Sequence, residues 1–195
     1  ISPTTKKIIE EFSIKYPGTK HVTHDSVSYS GMLKANKESF GIATLPSYRF
    51  DNADVIVSFG ADFLANWISP IEFARQYSEG RKLNDGRKKM SRHIQFEPTL
   101  SVTGSNADKR IPAKPSQQPA AVANLYNEVA KQTGGTAISA PDAGEMKNEI
   151  VEAARHLVAA KGRALVVARS NNAAVQNMVN AINVLLESYG NTINL

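Results

Sequence analysis

The chain has 195 residues, 42% of them hydrophobic, which is enough for one sizeable core and too little for two ordinary domains, so residues 1–195 read as a single domain. With no cysteine, these residues hold no disulfide framework, thiolate nucleophile, cysteine zinc site or iron–sulfur cluster. The net charge of +5 is moderate, the basic residues lack the aromatic interleaving and motifs of a nucleic-acid binder, and no run of about 18 apolar residues is present to insert into a membrane.

The first periodic stretch covers residues 4–15, where Ile8, Ile9, Phe12 and Ile14 mark a face for burial and Pro17-Gly18 ends a helix. His21-Val22-Thr23 follows as a brief strand, and residues 28–40 as a second helix stopped by Gly41. Asp54-Val55-Ile56-Val57-Ser58-Phe59-Gly60 is the clearest strand, and its continuous apolar run suits the interior of a parallel sheet. Ser69-Pro70 opens the next helix, since serine caps well and proline is tolerated in a first turn.

Between that helix and a weaker strand at His93-Ile94-Gln95-Phe96 lie Arg81, Lys82, Arg87, Lys88, Lys89 and Arg92, read as a solvated loop or a docking face. A short strand at Arg110-Ile111-Pro112-Ala113 sits inside the longest loop-like stretch, residues 99–119. Helices over residues 119–131 and 145–160 follow, with Gly134-Gly135 as the joint between them. Ala164-Leu165-Val166-Val167-Ala168 and a helix over residues 173–188 form the last unit. The predicted core includes Ile8, Phe12, Val57, Val166, Met178 and Ile182. Alternating strands and helices imply a three-layer, Rossmann-like α/β domain with a mostly parallel sheet.

Ligands of such sheets bind beyond the carboxyl ends of the strands, which directs attention to Gly60-Ala61-Asp62, Glu97-Pro98-Thr99, Pro115-Ser116-Gln117-Gln118 and Arg169-Ser170-Asn171-Asn172. Gly60 alone is a weak signal, because the further glycines of a dinucleotide fingerprint are missing. His21 and His24 have no partner at metal-ligand spacing, so no metal site is expected. Ser101, Thr103 and Ser105 lack the setting of a nucleophile, Trp67 reads as packing, and Ser170-Asn171-Asn172 reads first as a helix cap.

The order of these pieces resembles the dinucleotide-like domain of the large subunit of molybdopterin oxidoreductases, the formate dehydrogenase and dimethyl sulfoxide reductase superfamily. The resemblance rests on Pro17-Gly18-Thr19-Lys20-His21-Val22, on the strand and turn from Asp54 through Asp62, and on Ile94-Gln95-Phe96-Glu97-Pro98-Thr99 in the place of a V-D-P-R motif. Ile111-Pro112-Ala113-Lys114-Pro115-Ser116-Gln117-Gln118 falls where the family has I-R-P-G-T-D, and Ala181-Ile182-Asn183-Val184-Leu185-Leu186 with Tyr189-Gly190 resembles its closing helix. It implies that Gly60, Ala61, Asp62, Glu97, Pro115, Ser116, Gln117 and Gln118 stand where the family holds the guanosine diphosphate arm of molybdopterin guanine dinucleotide.

The departures run against tight binding. Asp62 replaces an asparagine, Thr99 an arginine, Ser116 a glycine and Gln118 the acid that recognises guanine, so Asp62 and Glu97 are expected to bring two carboxylates toward a pyrophosphate. Ser58-Phe59-Gly60-Ala61-Asp62-Phe63-Leu64, Glu72-Phe73-Ala74-Arg75-Gln76-Tyr77 and Lys89-Met90-Ser91-Arg92-His93-Ile94-Gln95-Phe96-Glu97 are similar to one branch, the molybdopterin-like iron–sulfur subunit of the quinol-oxidising bacterial alternative complex III.

That branch implies a non-catalytic scaffold with no cofactor in this fragment and iron–sulfur clusters elsewhere in the full chain. Its partners would be the remaining domains and other respiratory subunits, on the periplasmic side of the inner membrane, without membrane insertion. The start at Ile1 and the apolar end Ile193-Asn194-Leu195 fit such a fragment. A working oxidoreductase domain that binds the cofactor's nucleotide arm is the alternative, and a self-standing nucleotide-binding module a third reading.

Overall fold

A computed structural model describes residues 2–24, 26–83, 86 and 88–195. Helix α1 spans Pro3–Lys15 and α2 Ser30–Phe40, followed by β1 (Ser47–Tyr48), β2 (Val55–Phe59), α3 (Pro70–Arg81) and β3 (Arg92–Glu97). The short α4 (Val102–Ser105), β4 (Lys109–Pro112) and α5 (Gln118–Thr133) come next, then α6 (Lys147–Ala159), β5 (Ala164–Ala168), α7 (Ala173–Leu185) and β6 (Ile193–Asn194).

Four strands form a parallel sheet in the order β4-β3-β2-β5, with Val57 opposite Ile94 on one side and Val166 on the other. Parallel neighbours need long crossovers, and the helices supply them while covering both faces. One face packs Val55, Val57, Phe59, Val166 and Phe96 against α5, α6 and α7. The other packs Ile56, Leu165 and Val167 against α3 and an aromatic cluster in which Phe50 stacks on Phe63 at 4.3 Å. Every residue of β2 and β5 is buried, as their apolar runs require, and each of their valine, isoleucine, leucine and phenylalanine side chains contributes roughly 1.5–3 kcal/mol by leaving water. The result is a Rossmann-like three-layer α/β arrangement.

The connection order fixes the site. From β2 the chain winds outward to β3 and β4, then returns through α5 and α6 to place β5 on the other flank of β2. The loops leaving β2 and β5 therefore diverge, opening a crevice between them at the carboxyl edge of the sheet.

Several expectations change. Helix α1 is well capped, Ser2 accepting from the Thr5 amide, yet it buries no residue: Ile8 is 59% and Phe12 54% exposed. Amphipathic spacing specifies a face but not a partner, and no described element covers this one. Phe12→Ser is accordingly expected to leave the melting temperature within about 2 °C of wild type, because it lies outside the packed body; a larger fall in a thermal melt would mean that α1 docks. Residues 21–23 are exposed coil rather than strand, and Met178 is half-buried, whereas Val57, Val166 and Ile182 are buried as expected.

Within residues 99–119 the expected short strand is present as β4, and α4, which was not expected, precedes it. The antiparallel pair of β1 and β6 was not expected, because two-residue strands carry no periodic signal. In the basic stretch, Arg81 pairs with Asp108, Lys82 with Glu79 and Arg92 with Glu152, so much of its charge is neutralised locally; Arg87 lies outside the described residues.

Candidate strand-end binding site

A cavity of about 510 Å³ occupies the crevice between the ends of β2 and β5. Gly60, Asp62, Glu97, Pro115 and Gln118 line it together with Pro98, Thr99, Arg169 and Ser170, so all four strand-end segments singled out in sequence contribute to it. Ala61 is buried beneath it, its carbonyl accepting from the Ser58 hydroxyl, and Ser116 and Gln117 are exposed outside it. Gly60 has φ +66, a left-handed conformation that favours glycine, and its amide continues the sheet by donating to Phe96. The Arg169 amide likewise donates to Phe59 at 3.0 Å, which sets the start of its side chain beside the Gly60 turn.

The two carboxylates do not act as expected. Asp62 Oδ1 accepts from the Thr103 amide at 3.0 Å and the Thr103 hydroxyl at 2.7 Å, and Oδ2 from Asn66 at 3.3 Å. Glu97 is 2% exposed and accepts from the Ser101 hydroxyl and from Arg110 Nε, both at 2.6 Å, as well as from the Ser101 amide and Gln95. Burial pushes the Glu97 carboxyl up, but the Ser101 and Arg110 hydrogen bonds outweigh it and hold the group below the usual carboxylate range. Both side chains thus fasten α4 and the residues before it to the sheet.

The expected repulsion of a phosphate is correspondingly reduced: Arg110 neutralises Glu97, and fixed donors hold Asp62. Gly104 belongs to the same arrangement, because a Cβ there would land on the Glu97 carboxylate. Ser101 is a cap and a carboxylate ligand, with its hydroxyl accepting from the Gly104 amide at 2.9 Å.

Cations and helix ends complete the wall. The Arg169 guanidinium has no hydrogen-bond or ion-pair partner among the described residues and is exposed at the rim. The first turns of α5 and α7 meet the cavity through Gln118, Pro119 and Val175, bringing the positive ends of two helix dipoles toward it. The Asn172 side chain caps α7 by accepting from the Ala174 amide, and Asn171 accepts from the Gly31 amide at the start of α2, so this turn is anchored on two sides.

A smaller depression of about 270 Å³ shares Asn66 and Arg169 with the cavity and reaches Tyr29 and the buried Trp67. Beside it Ile68 has φ +55, a strained conformation for a β-branched residue, and its amide donates to the Tyr29 hydroxyl.

The sequence did not disclose Arg110 as the counter-ion of Glu97, since that pairing depends on the β3–β4 register, nor the linings Asn66, Leu100 and Val122. Among the described residues no group of three or more His, Asp or Glu side chains is arranged to hold a metal ion, and no helix is long and apolar enough to cross a membrane.

No family model matches the chain, and no curated protein sequence does. Among solved structures it is similar to acetylene hydratase from Pelobacter acetylenicus, with a TM-score of 0.52 at 14% identity, over 86% of this chain and 25% of that one. The likeness is one of fold. This chain spans about a quarter of that protein's length.

Proposed function

We propose that the chain is the dinucleotide-type domain of a molybdopterin-oxidoreductase-like subunit, and that its cleft holds the phosphate-bearing part of a nucleotide ligand while contributing no reacting side chain. The observation that carries this reading is the cavity of about 510 Å³ at the switch point, of a size ordinary for small-molecule sites, with Arg169, which has no partner among the described residues, beside the Gly60 turn. The order of sequence motifs supports it, and the likeness in fold to acetylene hydratase is in keeping with it. The ionisable side chains at the cavity are Asp62, Glu97 and Arg169, and the two acids are held by hydrogen bonds rather than poised for proton transfer.

The wider role we propose is respiratory electron transfer at the periplasmic face of a bacterial inner membrane, in quinol oxidation. Iron–sulfur clusters would be carried outside this cysteine-free chain, and the partners would be other domains and respiratory subunits. This part rests on sequence resemblance.

Of the ligand that the resemblance implies, molybdopterin guanine dinucleotide, the residues present fit the phosphates through Arg169 and the glycine turn. For guanine, the two carboxylates at the cavity are engaged, and the group left to meet the base is the Gln118 amide, which offers one donor and one acceptor to its O6 and N1–H.

Titration of the chain with inorganic pyrophosphate in a calorimeter tests the phosphate site. Micromolar binding is expected, and Arg169→Ala should weaken it about tenfold or more, as for a hydrogen bond to a charged group worth ~1.5–3 kcal/mol, with the melting temperature unchanged. No heat at millimolar pyrophosphate, or equal binding by the variant, would contradict the reading.

A further inference from the structure

We infer that the depression beside Trp67 is a second oxyanion subsite of the cleft, and that Trp67 is the residue by which the site prefers a ligand with two linked oxyanions to one with a single phosphoryl group. This rests on the proposed phosphate site and extends it. The depression of about 270 Å³ is lined by Asn66 and Arg169, which also line the main cavity, and by Tyr29, Trp67 and Asn171. The two compartments therefore meet at Arg169. A guanidinium carries five N–H donors in a planar fork, enough to serve an oxyanion in each.

Trp67 supplies the second donor. Its side chain is 1% exposed, and the indole N–H, buried with it, has no hydrogen-bond partner among the described residues. A buried donor left without an acceptor is costly, so few persist, and a ligand oxygen would relieve it. Neighbouring polar side chains are committed: Asn171 accepts from the Gly31 amide and donates to Ser30, Asn66 donates to Asp62, and Ser28 donates to Ser30. Among the described residues no acidic side chain lines the depression. Arg169 and Trp67 are donors only, and one of them is charged, which selects a group that is anionic and accepts only: a second phosphoryl group or a carboxylate. A neutral hydroxyl would leave its own hydrogen facing donors. Tyr29 is the side chain placed to move aside for the oxyanion, since its hydroxyl is held by the amide of Ile68, which is itself strained at φ +55.

The chain has one tryptophan, so its indole N–H gives a single, isolated peak in a proton–nitrogen correlation spectrum. Titration with pyrophosphate is expected to move that peak downfield and to saturate together with the Gly60 and Arg169 amides, whereas orthophosphate moves the amides and leaves the indole in place. By calorimetry pyrophosphate should bind about tenfold or more tightly than orthophosphate, and Trp67→Phe should remove most of that difference with orthophosphate affinity retained, as for the loss of a hydrogen bond to a charged group. Phosphonoacetate, with a carboxylate in place of one phosphoryl group, identifies the occupant: an indole shift equal to that with pyrophosphate assigns the subsite to oxyanions in general, and none restricts it to phosphoryl groups. Amide shifts without an indole shift on adding pyrophosphate, an indole shift at the same affinity with orthophosphate, or an unchanged pyrophosphate preference in Trp67→Phe would overturn this inference and leave the phosphate site standing. Absence of any shift with pyrophosphate would instead remove the site itself.

Discussion

Glu97→Ala is expected to destabilise the chain by about 3–5 kcal/mol, the usual cost of removing one partner from a buried, hydrogen-bonded charge pair. The substitution strips Arg110, Gln95 and Ser101 of their shared acceptor and releases the residues that lead into α4. Glu97→Gln keeps the shape but loses the ion pair and should fall between wild type and alanine. Gly104→Ala attacks the same point from the other side, since its methyl group would displace the carboxylate. Urea unfolding monitored by circular dichroism reports the midpoints; a shift worth less than 1 kcal/mol for Glu97→Ala would show that the network adds little to stability.

The second large effect is acid sensitivity centred on His93. This residue is fully buried on β3, with Tyr77 at 3.2 Å from Nδ1 and Gln95 Oε1 at 3.2 Å from Nε2. Burial pushes its pKa down to about 4; the Gln95 hydrogen bond and the charges of Asp108 and Glu97 oppose that fall, while Arg81 reinforces it. The folded state therefore keeps the ring neutral between pH 6.5 and 4, while the unfolded chain protonates it.

The unfolded state binds more protons in that window, so stability falls as pH falls from 6.5 toward 4, by roughly 3 kcal/mol at 1.36 kcal/mol per pKa unit. His156, also shifted down through burial and Arg92, acts in the same direction. Glu97 has the opposite charge type but the same consequence at lower pH: its depressed carboxyl stabilises the fold above the unfolded value near 4, and that contribution is lost as pH falls through the folded value. In melts at pH 7.5, 6 and 5, His93→Gln should lose much of the wild-type decline. An equally steep decline in the variant would assign it to other groups.

The sheet interior and the place of the cleft were legible because both follow from local patterns. Val55 through Phe59 and Ala164 through Ala168 are continuous apolar runs, and a ligand crevice belongs at the ends of such strands. Strand β3 read as weak because His93, Gln95 and Glu97 alternate with Ile94 and Phe96. The structure buries both faces, the apolar one against helices and the polar one as a ladder in which Gln95 links His93 to Glu97. No sequence pattern states that the polar residues will satisfy one another. The charges of Asp62 and Glu97 were legible, but their partners Thr103 and Arg110 come from elements brought near only by β3–β4 pairing and the fastening of α4. Helix α1 failed for the complementary reason, since its apolar face is real and no described element meets it.

Amide nuclear magnetic resonance during a pyrophosphate titration tests the central claim most directly, because it locates the ligand on the fold. Shifts concentrated at Gly60, Ser101, Gln118, Arg169 and Ser170, saturating together and requiring about tenfold more pyrophosphate or beyond in Arg169→Ala, are the predicted result. Shifts confined to Lys88, Lys89 and Arg163 at the opposite edge of the sheet, or no shifts at millimolar pyrophosphate, would contradict it.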